Sequence, residues 1–224
     1  LCEVTGADID EVAMAVGMDK RIGSRFLRAG PGFGGSCFKK DILNLVYLSK
    51  FYGLDEIARY WQKVIEINEW QQNRISKVII NKLFGTLSGK KIAILGFAFK
   101  AETNDTRESP AISICLDLLE EGAELKIYEP KVNICQIEKS LNQKENEVRF
   151  EGKWISSKSV IDAAEESDAL IVITEWEEFR SIKWREVSIH MRKPSWVFDL
   201  RSVINIQEAK SYGINVWKLG SGEI

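Results

Sequence analysis

Cys37 stands where the glycine-rich loop Gly30-Pro31-Gly32-Phe33-Gly34-Gly35-Ser36 runs into a helical pattern. Phe38, Ile42, Leu45, Val46 and Tyr47 have helical spacing, so a helix is expected to start near Ser36 or Cys37. A thiol at a helix start meets free backbone N–H groups and the positive end of the helix dipole, which favour the nucleophilic thiolate. Lys39 and Lys40 add positive charge. Asp41 lies one turn on, on the same face as Cys37, and its charge opposes a thiolate. Activating a water beside a covalent cysteine adduct would give that carboxylate a purpose.

Two more loops and one strand end have ligand chemistry. Gly96-Phe97-Ala98-Phe99-Lys100 follows an apolar strand pattern, where a phosphate-binding turn would sit. Only Gly96 remains of a G-x-G-x-x-G motif, so backbone wrapping around a pyrophosphate is not expected. Lys100 could neutralise a phosphate, and Phe99 could flank a ring or simply pack. In Thr103-Asn104-Asp105-Thr106-Arg107-Glu108-Ser109-Pro110, Arg107 suits either a bidentate phosphate contact or a salt bridge with Asp105 or Glu108. Asp199-Leu200-Arg201 ends a later strand pattern and puts Arg201 near the expected ligand edge, with a structural ion pair as the alternative. His190 has no triad partners and reads as a surface or core residue.

The elements that must position these groups fall into two textures. Residues 1 to about 84 read as all helix. Asp8 can cap a short helix through Val16, the Cys37 helix runs to about Tyr52 and stops at Gly53, and a long helix follows from Asp55 to about Phe84. In the long helix Ile57, Tyr60, Trp61, Val64, Ile67, Ile75, Val78, Ile79 and Leu83 keep helical spacing. Such a length suggests that it spans two domains or packs on a partner subunit, a solvent-bridging helix being the alternative. Gly85-Thr86-Leu87-Ser88-Gly89 is a breaker cluster, which divides the chain into 1–84 and 85–224. The second part alternates strands at 91–95, 125–128, 169–174, 196–199 and 215–217 with helices at 112–121, 160–166 and 206–212. This predicts an α/β fold with a doubly wound parallel sheet, its ligands beyond the carboxyl ends of the strands. Residues 131–156 are polar and read as an irregular excursion.

The chain of 224 residues is 45% hydrophobic and 29% charged, ordinary for a soluble globular protein. A net charge of -2 points to no nucleic-acid or anionic-membrane partner. No apolar run approaches the about 20 residues that span a bilayer. Cys2, Cys37, Cys115 and Cys135 are scattered and, with one histidine, form no metal-ligand pattern. Cys2 and Cys115 read as buried apolar filler. Reduced thiols and the lack of a signal-peptide pattern fit a cytoplasmic protein. The unfinished texture at Leu1 and at 220–224 suggests a piece of a longer polypeptide.

Taken together, Gly32-Phe33-Gly34-Gly35-Ser36-Cys37-Phe38-Lys39-Lys40-Asp41, Gly96-Phe97-Ala98-Phe99-Lys100 and Asp105-Thr106-Arg107-Glu108-Ser109 resemble the UDP-glucose 6-dehydrogenase family of nucleotide-sugar dehydrogenases. The segment 57–65 is similar to that family's central helix, and Asp199-Leu200-Arg201 continues the resemblance. The resemblance implies two-step oxidation of a sugar 6-hydroxyl to a carboxylate with NAD, through a thiohemiacetal and thioester on the cysteine. It implies Cys37 as nucleophile and Asp41 as the water-activating carboxylate. Phe26, Arg28, Phe33, Gly34, Phe99, Lys100 and Arg201 would hold the UDP-sugar, with Arg21 reaching across a dimer interface. Lys40 and Arg107 would reach NAD. The 1–84 segment would be a helical dimerisation domain and 85–224 a Rossmann-like UDP-binding domain. The family's NAD-binding domain, with its G-x-G-x-x-G, and a glutamate, lysine and asparagine of its site would lie outside this chain. The chain alone is therefore expected to be inactive. A related dehydrogenase for UDP-N-acetylmannosamine or GDP-mannose, or a non-catalytic UDP-sugar-binding dimerisation module, are the alternatives.

Overall fold

A computed structural model describes residues 1–149 and 151–222. Phe150, within the 131–156 stretch, and Glu223 and Ile224 lie outside the described residues. The helical segment comprises α1 (Cys2–Thr5), α2 (Ile9–Gly17), α3 (Phe38–Phe51) and α4 (Asp55–Lys82). Then follow β1 (Lys91–Leu95), α5 (Pro110–Glu120), β2 (Glu124–Tyr128), α6 (Ile134–Leu141), β3 (Lys153–Ser156), α7 (Val160–Ala164), β4 (Ala169–Val172), a 3-10 turn (Glu177–Ser181), α8 (Trp184–His190), β5 (Trp196–Asp199), α9 (Ile206–Ser211) and β6 (Asn215–Lys218).

Local chemistry sets the helix starts. Asp8 caps α2 by accepting from Asp10 N–H, as expected. Ser109 caps α5, with Pro110 at the first helical position, where its missing N–H costs nothing. Asn133 and Gln136 form a capping box at α6. This helix and β3 lie in the stretch read as irregular. The polar faces of an edge strand and a surface helix hid the pattern. Helix α8 was not anticipated either, although Trp184 and Val187 bury one face of it.

The sheet has the order β3-β2-β1-β4-β5-β6, and every described pairing is parallel. This is the doubly wound order, reversing direction at β1. Right-handed crossovers then put α5 and α6 on one face and α7, α8 and α9 on the other. Strands β1 and β4 are buried on both faces, which is why they read as continuous apolar runs. The register aligns Leu95 with Tyr128 and Val172, and Val172 with Asp199. The residues that follow those four therefore leave the sheet along one edge.

Helix α4 serves two neighbours. Ile75, Ile79 and Leu83 enter the core around the sheet, beside Leu87, Ile114 and Leu118. The other half packs along α3, with Ile42, Val46, Ala58 and Ile65 buried. The apolar stripe expected along the whole helix is not buried throughout: Ile57, Tyr60 and Ile67 are 49%, 65% and 60% exposed. Cys115 is buried as expected, but Cys2 is only half-buried. Burial drives the Cys115 thiol far above its ordinary pKa, so it stays neutral.

The first helices are strapped to the end of the chain. Arg74 makes a two-pronged ion pair with Glu3 at 2.8 and 2.8 Å, and Glu3 also accepts from Gly220 N–H. Lys218 contacts Asp8 at 3.0 Å and Asp10 at 2.7 Å. Burial raises the pKa values of Glu3 and Asp8, but hydrogen bonds from Arg74 and Gly220, and from Lys218 and Asp10, outweigh it and hold both below the carboxylate range. Lowered folded-state values mean stability that is present above the unfolded values and lost as pH falls through the folded ones. Thermal melts are therefore expected to hold steady near neutrality and fall below about pH 4. Glu3→Gln should cost about 1–3 kcal/mol near pH 7 and flatten the acid limb. An unchanged acid limb in that variant would remove the strap's role.

Candidate active site

Cys37 is the N-cap residue of α3, and its side chain does not cap the helix. Its carbonyl accepts the Asp41 N–H at 2.8 Å, the bond that starts the helix. The thiol is exposed, with Ser36 Oγ at 3.7 Å from Sγ. Lys40 and Asp41, on the first turn, are exposed and make no ion pair among the described residues. Lys39 turns away to Glu108 at 3.1 Å and Glu69 at 3.7 Å.

Helix α4 grips the loop that carries Cys37. The Asn68 side chain accepts from Phe33 N–H at 2.8 Å and donates to Phe33 C=O at 3.1 Å. Gln71 donates to Gly30 C=O at 3.4 Å. Gln72 accepts from Ser113 Oγ on α5 at 2.8 Å, tying the same turn of α4 to the sheet domain. The Phe33 ring meets Phe38 edge-on at 4.6 Å between centroids.

The held loop presses on the carboxyl edge of the sheet. Gly35 N–H donates to Arg107 C=O at 2.9 Å. A Cβ at Gly34 would lie 2.3 Å from Glu108 O, so only glycine permits this approach. Gly35 has φ +87, and its Cα faces the Phe99 ring, which a Cβ would meet at 2.9 Å. The Lys100 ammonium sits 5.4 Å from the Phe99 centroid. Arg107 is exposed and paired with Asp105 at 2.7 Å, one of the two roles its spacing allowed. The Asp105 hydrogen bond raises the Arg107 pKa, and negative charge on Cys37 adds to the effect.

Arg201 crosses the edge from the far side. Its Nε donates to Ile173 C=O at 2.7 Å, one Nη lies 3.5 Å from Phe99 O, and another lies 3.0 Å from where a Gly30 Cβ would be. Glu175 Oε2 is 3.2 Å from Arg201 Nε, an ion pair without hydrogen-bond alignment, since that buried oxygen makes no hydrogen bond. Burial lowers the Arg201 pKa, and Glu175 opposes this. Asp199 is fully buried and accepts from the N–H groups of Arg201, Val203 and Ile204 at 3.0, 3.0 and 3.1 Å. It fixes the turn that aims Arg201.

The fold thus gathers Phe33, Gly34, Cys37, Phe99, Lys100, Arg107 and Arg201, with Lys40 and Asp41 on the adjoining helical turn. Arg21, Phe26 and Arg28 stand apart. Arg21 pairs with Asp19 at 2.6 Å, Phe26 is 100% exposed, and Arg28 makes no ion pair among the described residues. Sequence reasoning missed Asn68, Gln72, Glu175 and Asp199 as supports. The polar run Asn68, Gln71 and Gln72, at i, i+3 and i+4 in an otherwise apolar stripe, was the available signal. A cavity of about 460 Å³ lies behind the loop between α4 and α5, lined by Phe33, Asn68, Gln72 and Ser113 but not by Cys37. Another, of about 660 Å³, is lined by Asp105, Arg107 and Lys139.

Fold and site define a doubly wound nucleotide-type domain with a thiol-bearing helical segment seated on its ligand edge. Residues 1–70 match the central domain, and residues 93–206 the UDP binding domain, of the UDP-glucose/GDP-mannose dehydrogenase family. The chain belongs to that family. It is 47% identical over 223 residues to UDP-glucose 6-dehydrogenase of Drosophila melanogaster, covering 98% of this chain and 47% of the relative. It is 44% identical over 231 residues to UDP-glucose 6-dehydrogenase 4 of Arabidopsis thaliana, covering 98% and 48%. The chain therefore spans about half the length of these relatives. A UDP-glucose dehydrogenase structure from Pyrobaculum islandicum superposes with a TM-score of 0.77 at 26% identity, over 99% of this chain and 45% of that one.

Gly34→Ala is expected to drive the loop off the 107–108 backbone. Melting should report a loss of about 1–3 kcal/mol, and the alkylation rate of Cys37 should change. A variant with wild-type stability and thiol kinetics would show that the close approach is not needed.

Proposed function

We propose that this chain supplies the nucleophile and the UDP-sugar pocket of a UDP-glucose 6-dehydrogenase. The observation that carries this reading is the seating of the Cys37 loop on the edge that presents Phe99, Lys100 and Arg201. Phe33, Gly34, Phe99, Lys100 and Arg201 then hold the UDP-sugar, Phe99 and Lys100 offering a ring face and a cation. Phe26 and Arg28 are assigned to the same ligand, and Arg21 to a partner's site, all three from regions that extend into solvent. The division into a helical part, 1–84, and a UDP-binding part, 85–224, belongs to this proposal.

In this chemistry the Cys37 thiolate adds to the C6 aldehyde carbon. A C–S bond forms and the carbonyl oxygen takes a proton, giving a thiohemiacetal. Once that carbon is oxidised to a thioester, Asp41 draws a proton from water. The water oxygen bonds to the carbonyl carbon, the C–S bond breaks, and the carboxylate leaves with the thiolate restored.

NAD is the hydride acceptor that this chemistry requires. The turn after β1 does not fit it: Phe97, Ala98 and Phe99 N–H groups are all engaged within the protein. Binding of NAD is assigned to a domain outside residues 1–224, with Lys40 and Arg107 reaching toward it from this chain. A homodimer is assigned to the apolar outer surface of α3 and α4, where Tyr47, Phe51 and Tyr60 are 64%, 69% and 65% exposed. No helix among the described residues is long and apolar enough to cross a membrane, and a cytoplasmic location is part of the proposal.

Three measurements bear on this reading. Cys37→Ser, in the protein complemented with the NAD-binding half, should abolish net formation of UDP-glucuronate; undiminished product would sink the covalent route. Asp41→Asn should slow release of the thioester about 10²- to 10⁴-fold, leaving a sugar adduct on Cys37 in the mass spectrum. Phe51→Asp should shift the protein toward monomer in light scattering, and an unmoved mass would take the interface elsewhere.

A further inference from the structure

In a doubly wound domain the turn after the first strand ordinarily offers its backbone N–H groups to a ligand phosphate, and an acidic residue at the end of the second strand meets a ribose. Here the two features meet each other. Glu129, directly after β2, swings into the turn after β1. Its Oε2 accepts from Phe97 N–H at 2.5 Å and Ala98 N–H at 3.1 Å. The same oxygen accepts from the Trp176 indole N–H at 3.3 Å, and Oε1 accepts from Lys131 N–H at 3.1 Å.

The rest of the turn is also fully engaged. Gly96 N–H donates to Tyr128 C=O at 2.9 Å, and Phe99 N–H to Asp105 C=O at 3.1 Å. Phe97 C=O accepts from Ser109 Oγ at 2.8 Å, Ala98 C=O from Thr174 Oγ1 at 2.7 Å. Gly96, at φ +91, lets Thr174 come so close that a Cβ would meet its Cβ at 2.4 Å. Trp176, 3% exposed, closes the outer side, and Lys131 stacks over its ring at 5.3 Å. No N–H of residues 96–99 is left to a ligand.

We infer that Glu129 is an internal anion standing where a ligand phosphate would sit, closing this Rossmann turn to dinucleotides and positioning Phe99 for the sugar-nucleotide site. A carboxylate matches a phosphate in charge sign and in acceptor geometry, so it satisfies the same paired N–H groups. With the N–H donors of residues 96–99 used up, this turn is left to bind through side chains, and Phe99, Lys100 and Arg201 stand beside it. The positioning half of this inference rests on the function proposed above; the closure half does not.

Amide NMR of the protein titrated with inorganic phosphate tests the closure. Wild-type Phe97 and Ala98 N–H signals should not move, whereas in Glu129→Ala they should shift saturably. A wild-type response, or an unresponsive variant, overturns it. Should Glu129→Ala not fold, Glu129→Gln decides by the same titration. Its one amide oxygen cannot replace both carboxylate oxygens, since the NH2 cannot accept from Lys131 N–H. A weak saturable phosphate response is therefore expected, and none overturns the closure. Calorimetry with UDP tests the positioning. Glu129→Ala should bind UDP about tenfold more weakly, formate should restore much of the affinity, and Glu129→Gln should lie between. Unchanged affinity in Glu129→Ala overturns the positioning role. If wild type binds no UDP, the proposed function fails and the phosphate titration alone judges Glu129.

Discussion

Everything at this site depends on how closely the backbone of the Cys37 loop approaches the backbone of the 107–108 loop. Gly35 N–H bonds to Arg107 C=O, and Gly34 leaves no room for a side chain above Glu108 O. These contacts join two parts whose cores are otherwise distinct. Ile42, Val46, Ala58 and Ile65 are buried between α3 and α4, apart from the core around the sheet. Among the described residues only α4 enters both. Its Asn68 grips the loop while its Gln72 reaches Ser113 on α5. A thiol placed at the start of α3 thereby acquires a fixed position relative to Phe99 and Arg201, more than sixty residues away in sequence.

The carboxyl edge of the sheet shows one device used twice. Asp199 and Glu129 each end or follow a strand, and each turns back to accept neighbouring backbone N–H groups. Burial raises the Asp199 pKa, and the N–H bonds from Arg201, Ile204 and Val203 work against it. A buried carboxylate is tolerable only with such partners. The result is two rigid turns whose donors face inward. In the proposed function side chains carry the outward chemistry, unlike an edge that grips ligands through free backbone amides.

Much of this was legible in the sequence because the signals were local. Continuous apolar runs gave β1 and β4, Asp8 and Pro110 marked helix starts, and the glycine cluster beside Cys37 marked a close backbone approach. The failed G-x-G-x-x-G argued against backbone wrapping around a pyrophosphate at this turn. It did not reveal what satisfies the turn instead, because Glu129 is 32 residues further on and its direction depends on parallel pairing of β1 with β2. Asn68 and Glu175 escaped for the same reason: their roles are set by tertiary contact, and their types are common on surfaces. The edge strand β3 and helix α6 were lost because each has one solvated face and a polar composition.

The uneven burial of α4 separates what the fold needs from what it leaves over. The sheet core requires Ile75, Ile79 and Leu83, and the contact with α3 requires Ala58 and Ile65. Ile57, Tyr60 and Ile67 keep helical spacing yet stay exposed, alongside Tyr47 and Phe51 on α3. Such residues gain nothing for an isolated chain: large apolar groups left in water forgo about 1.5–3 kcal/mol each of burial energy. Periodicity therefore reported correctly that these positions are apolar on one side, while the side facing the chain's own core is a different and smaller one. Under the homodimer proposed above, the helix is covered twice, once by its own core and once by the partner subunit. Because the Asn68 grip lies on this same helix, that proposed cover would also steady the loop that carries Cys37.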